Sequence, residues 1–219
     1  NLNNKWLSIR SLNGNTNCII EATANSKDVI TASSGETNAT EIVGFTIKGG
    51  SNGVSCSNGS SPIISNCLII GNGYAVSTEA GAINGNFYNN TYSGNNKDYI
   101  MVSGTTIGDT KAANKDVTYT WKKDGAPYLV SEDLTINPIG SNIPSTTTWI
   151  VQSGTIIKFE KDVDVYVSGS TANNNGALQA TGATFQGYKA GEGWNGFDFR
   201  QNTNDSKTLL DSCIIQDAS

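Results

Sequence analysis

Two aspartates, Asp162 and Asp164, follow Glu160 and form the densest acidic cluster of the chain. In an alternating strand they project from one face while Val163, Val165 and Val167 turn inward. Carboxylates so placed are candidates for acid–base work, or for Ca²⁺ ligation if further oxygens converge from neighbouring strands. Arg200, one of two arginines beside Arg10, follows Phe197-Asp198-Phe199 and is set to pair with Asp198. An Arg beside an Asp is usually a surface ion pair of small energetic value. Outer-face carboxylates are usually solvated, so Asp162, Asp164 and Arg200 are read first as surface groups and only second as catalytic ones. Aromatic faces can also stack on sugar rings. Tyr166 alternates with the inward valines and is expected to point outward near Asp164, and Trp121 lies beside Lys122 and Lys123 in a less regular stretch. These two are the candidate ligand-binding residues, with local packing the competing reading for Trp121.

The composition narrows the chemistry further. There is no His in 219 residues, which removes Ser-His-Asp and Cys-His catalysis, His-ligated zinc and His general bases. The net charge of -5 and the pI near 4.7 oppose nucleic-acid binding, which rewards clustered Lys and Arg. No apolar run approaches the length of a membrane-spanning helix. The chain holds 24 Gly and 27 Asn with only 15% charged residues. That composition alone would suit disorder, but the regular supply of Ile, Val and Phe argues for an ordered, β-rich protein.

The elements that must carry these residues appear as a repeat. Gly44-Phe45-Thr46-Ile47-Lys48-Gly49-Gly50 aligns without gaps to Asn66-Cys67-Leu68-Ile69-Ile70-Gly71-Asn72, 22 residues on. Asn89-Asn90-Thr91-Tyr92-Ser93-Gly94-Asn95 follows after a further 23, and Ser212-Cys213-Ile214-Ile215-Gln216-Asp217-Ala218 is a looser fourth copy. Gly44, Asn66 and Asn89 fill the first column and Gly50, Asn72 and Asn95 the last. Gly and Asn both enter the left-handed backbone region at low cost, so both columns are expected to be tight bends. Between them Ile47, Ile69 and Tyr92 share one buried position. A period of this length suits a coil of three short strands and three bends, stacked at about 4.8 Å with like residues over like.

These segments, with Gly53-Val54-Ser55-Cys56-Ser57 and Ser60-Ser61-Pro62-Ile63-Ile64-Ser65, resemble the right-handed parallel β-helix repeat proteins of pectate-lyase-like fold. The later stretches Ser153-Gly154-Thr155-Ile156-Ile157-Lys158-Phe159 and Gly193-Trp194-Asn195-Gly196-Phe197 resemble the same family in a second dialect. The resemblance covers most of residues 5 to 217. It implies an all-β, right-handed parallel β-helix (solenoid) with coils of about 22–30 residues. It also implies a secreted or surface location. Enzymes of this family hold Ca²⁺ in a carboxylate cluster and use Arg or Lys as base, which makes Asp162, Asp164 and Arg200 the residues to test. The family's polygalacturonase-like and epimerase-like members rely on His-containing motifs that this chain lacks.

The expected organisation is one parallel β-helix over 1–219, in sections 1–109 and 134–219 around an irregular segment 110–133. Cys18, Cys67 and Cys213 each open an apolar run, so free, inward-facing cysteines are preferred over two disulfides. The chain starts and stops within strand-like sequence, which reads as a section of a longer polypeptide. The expected function is a non-catalytic extracellular or cell-surface scaffold for glycan recognition, adhesion or filament-like assembly. A polysaccharide lyase or hydrolase acting on acidic glycans is the alternative. No cofactor is expected, Ca²⁺ being the ion the acidic cluster would call for. The expected partners are a glycan, or another copy meeting an uncapped end coil whose unpaired backbone groups template a strand, with no nucleic acid and no membrane span.

Overall fold

The computed structural model describes residues 1–103, 106–108, 115–138, 145–169, 171 and 173–219. It is all-β, and its only helical turns among the described residues are Ala80–Ala82 and Asp205–Lys207. Among the described residues the ladders between named strands are parallel, and strands pair with the strand third from them in sequence. Such connectivity is consistent with a β-solenoid. The chain divides into two compact units, 1–102 with 124–128, and 103–123 with 129–219.

In the first unit one ladder stacks Ser8–Arg10, Glu41–Val43, Ile63–Ser65 and Phe87–Tyr88. A second stacks Ile19–Glu21, Thr46–Lys48, Leu68–Ile70 and Thr91–Ser93. Register places like over like: Ile42 faces Ile64 and Ile64 faces Phe87, while Ile47 faces Ile69 and Ile69 faces Tyr92. All six are buried. Each such side chain contributes about 1.5–3 kcal/mol by leaving water, so the repeat columns are the core.

The two bend columns differ from each other. Gly44, Asn66 and Asn89 are left-handed, with φ of 80°, 55° and 57°. At the far end of each repeat, however, the left-handed residues are Gly49, Gly71 and Gly94, one position before Gly50, Asn72 and Asn95. The last column therefore does something other than bend. Asn72 Oδ1 accepts from the Gly50 N–H at 2.9 Å, and Asn95 Oδ1 accepts from the Asn72 N–H at 2.9 Å. The Asn72 amide also donates to the Ile47 and Ile70 carbonyls, at 3.2 and 3.0 Å. Gly50 fits where a side chain would not, since a Cβ there would stand 2.7 Å from Val29 Cγ2. This column is an asparagine ladder that satisfies buried backbone groups at the turn.

A buried polar knot closes the second ladder. Asp124 accepts from the Asn90 N–H and Nδ2 at 2.9 Å each, and from the Tyr92 hydroxyl at 2.5 Å. These bonds tie the short segment 124–128 to the first unit. Gly125, left-handed at φ 71°, packs so tightly there that a Cβ would meet the Asn90 carbonyl at 2.5 Å.

In the second unit the ladders are Thr106–Ile107, Leu134–Ile136, Asp164–Val167 and Gly196–Phe199, then Val117–Trp121, Ser145–Val151, Asn174–Thr181 and Leu209–Asp211. Ile156–Phe159, Thr184–Gly187 and Ile214–Ile215 form part of a third. Coils lengthen here: paired strands of neighbouring coils join residues 28 to 32 apart, against 22 to 23 along the asparagine ladder. The segment expected to be irregular over 110–133 carries the strands Val117–Trp121 and Tyr128–Val130, while residues 110–114 lie outside the described ones. The interior of this unit is filled by aromatics. Trp121 meets Trp149 edge to face at 4.9 Å, and Phe159 stacks on Trp194 at 4.2 Å. All four cysteines are free; Cys56 and Cys67 are buried, and Cys18 and Cys213 half-buried. Burial, helped by the nearby Glu36 and Glu79 charges, pushes the Cys56 thiol up to about 12. No helix among the described residues is long and apolar enough to cross a membrane.

Candidate functional site

The outer face of the strands Asp164–Val167 and Gly196–Phe199 gathers most of the residues singled out above. Val165 and Val167 are fully buried, which leaves Asp164 and Tyr166 on the opposite face by period two. Register sets Tyr166 beside Asp198 on the next coil and beside Thr135 on the previous one. Arg200 follows two residues after Asp198, with its backbone N–H tied to the Val167 carbonyl at 3.0 Å. Its guanidinium donates to Asp198 Oδ2 at 2.8 Å and lies 3.8 Å from the Tyr166 ring centroid.

Two further groups complete the surface. Asn195 Nδ2 donates to Asp164 Oδ2 at 2.8 Å and to the Asp162 carbonyl at 3.0 Å. Asp133 accepts from the Asp164 N–H at 2.9 Å. Neither Asn195 nor Asp133 was among the candidates, because each reaches Asp164 across one coil of 31 residues. Only the inter-coil register, which the looser second-half repeat does not display, would have found them.

Asp162 stands apart from Asp164. It occupies a left-handed bend at φ 62°, ahead of the strand, and its carboxylate lies 3.4 Å from Lys161 in open solvent. The two acids therefore do not project as a pair from one strand face. Trp121 is placed in the core at 0% exposure and not on a projecting loop, because the strand Val117–Trp121 turns it onto Trp149. That position offers a ligand no ring face. Tyr166 remains half-exposed, though Arg200 covers one side of its ring.

Electrostatics follow from these neighbours. The Tyr166 phenol is pushed above its ordinary range, first by desolvation, then by the charge and hydrogen bond of Asp164 and by Asp133, with Arg200 opposing. Arg200 is held above its usual value by its hydrogen bond to Asp198, against some desolvation. A proton on Tyr166 is thus stabilised, the reverse of what a phenolate base needs. Among the described residues no three acidic or cysteine side chains converge as a metal-binding group. What the surface can do is offer a fixed aromatic edge, a guanidinium and several hydrogen-bond acceptors to a polar ligand.

Comparison with protein-family models, with curated proteins and with solved structures finds no match to this chain.

Proposed function

We propose that the chain folds as a right-handed parallel β-helix of pectate-lyase-like type, acting as a non-catalytic extracellular or cell-surface scaffold that binds glycans along its sides. The hand follows from general chirality: parallel crossover connections within a sheet are right-handed in about 98% of cases, because twisted strands pack back only that way. The side-by-side parallel ladders and the Asn-, Ser- and Thr-rich exterior support the scaffold reading.

The observation that carries it is the pairing of the candidate charges. Arg200 is engaged by Asp198 and by the Tyr166 ring, and Asp164 by Asn195. A base for lyase chemistry has to be free to take a proton from substrate. Here the guanidinium packs on the Tyr166 ring, and side chains fixed before binding lose little entropy on binding.

A glycan microarray probed with the labelled chain tests this. Retention on a subset of glycans, weakened by Tyr166→Ala, is the expected result. Uniform absence of retention across the array would overturn the glycan-binding role.

A further inference from the structure

A second surface of the same unit has a different character. Ile150, Gln179 and Leu209 lie side by side on three successive strands, in register. Together with Gln152, Ser153 and Thr181 they line an open groove of about 590 Å³. That volume falls in the range of small-molecule and oligomer sites. Leu209 is 56% exposed, a large apolar side chain left in water. Gln179 is held in place by its Nε2, which donates to the Lys207 carbonyl at 2.9 Å, so its Oε1 is presented as a fixed acceptor. Gly182 keeps the space beside Ser153 clear, since a Cβ there would stand 2.7 Å from Ser153 Oγ.

The chemistry of the lining selects a ligand class. Aliphatic side chains alternate with amides and hydroxyls, and no lining side chain is ionisable. The pattern matches a pyranose, whose CH face is apolar and whose edge carries hydroxyls that both donate and accept. The charge register next to Thr181 is Asp211, a carboxylate that would repel an anionic chain. The groove crosses successive coils, so equivalent positions repeat at the strand spacing of about 4.8 Å, which favours a polymer laid along the stack over a single sugar.

Resting on the glycan-binding reading above, we propose that this groove binds a neutral polysaccharide and that the Tyr166 surface is not its site. The test is affinity electrophoresis of the chain through gels containing soluble β-glucan, mannan, xylan or galactan, with polygalacturonate as the charged comparison, at low and at high salt. The expected result is retardation in at least one neutral gel, insensitive to salt. Leu209→Asp weakens it about tenfold or more, because a carboxylate must be desolvated in the groove, and Gln179→Ala weakens it less. Leu12→Ser, at an exposed position of the first unit, leaves it unchanged. Circular dichroism confirms that each variant is folded. Retardation in a neutral gel that survives both groove substitutions overturns this inference while the glycan-binding reading stands. Salt-sensitive retardation by polygalacturonate alone also overturns the inference and leaves that reading. No retardation in any gel overturns both.

Discussion

Arg200 lies 3.8 Å from the centroid of the Tyr166 ring while bonding Asp198 at 2.8 Å, so one cation joins two neighbouring coils through an aromatic face and a carboxylate. The arrangement has a titration signature. Desolvation and the Asp164 charge raise the Tyr166 phenol, and the guanidinium opposes them. Arg200→Ala is expected to raise it further, and Asp164→Asn to bring it back toward the ordinary range. The ¹³C chemical shift of the Tyr166 Cζ against pH reads both. A phenol that titrates identically in all three proteins contradicts the arrangement.

The asparagine ladder carries measurable stability. Asn72 is 3% exposed, and Asn72→Ala leaves the Gly50 N–H and the Ile47 and Ile70 carbonyls without their side-chain partner. Leaving a buried polar group unpaired costs about 1 kcal/mol or more, so a loss of about 3 kcal/mol or more is expected for the three. Urea unfolding measures it. A midpoint unchanged from wild type is incompatible with the ladder.

Glu36 gives an acid-dependent contribution. Its side chain is buried, which alone raises a carboxyl, yet bonds from the Ser34 and Asn4 N–H groups and the Ser60 hydroxyl outweigh burial and hold it below the usual range. A carboxyl lowered in the folded state stabilises above its unfolded value, and that contribution is lost as pH falls through the folded one. Glu36→Gln is therefore expected to lower Tm most at neutral pH, with the two proteins converging in acid. A constant difference across the pH range contradicts the hydrogen-bonded carboxylate.

The tryptophans separate by exposure. Trp6 is 81% exposed, while Trp121, Trp149 and Trp194 are each at 0%. Acrylamide is expected to quench one component of the fluorescence, and Trp6→Phe to remove that component. Trp149→Ala, which opens the aromatic core, is expected to cost about 3–5 kcal/mol. A quenchable Trp121 would return it to the surface.

Much of the first unit was legible because its columns repeat by residue type. Ile47, Ile69 and Tyr92 announce a buried position, and Gly44, Asn66 and Asn89 a bend. Asn72 and Asn95 were misassigned because Asn suits both a left-handed bend and a hydrogen-bonded ladder. What decides between them is that Gly71 and Gly94 already take the bend, and two adjacent small residues do not reveal which one does. Trp121 was misplaced for another reason. Its strand Val117-Thr118-Tyr119-Thr120-Trp121 alternates apolar with polar residues, which puts Trp121 on the buried face, but the neighbouring lysines made the stretch read as irregular, and its partner Trp149 lies a full coil away. The same holds for Asn195 beside Asp164 and for the row Ile150, Gln179 and Leu209: contacts set by coil stacking leave no local pattern.

Binding without turnover is the centre of the account, and one incubation tests it. The chain is mixed with uronate and neutral polysaccharides, with and without Ca²⁺, while unsaturated products and new reducing ends are followed alongside co-migration of polymer with protein. The account predicts flat traces for both products and co-migration with at least one polymer. A Ca²⁺-dependent rise in unsaturated product that Asp164→Ala or Arg200→Ala abolishes would contradict it and make those residues catalytic.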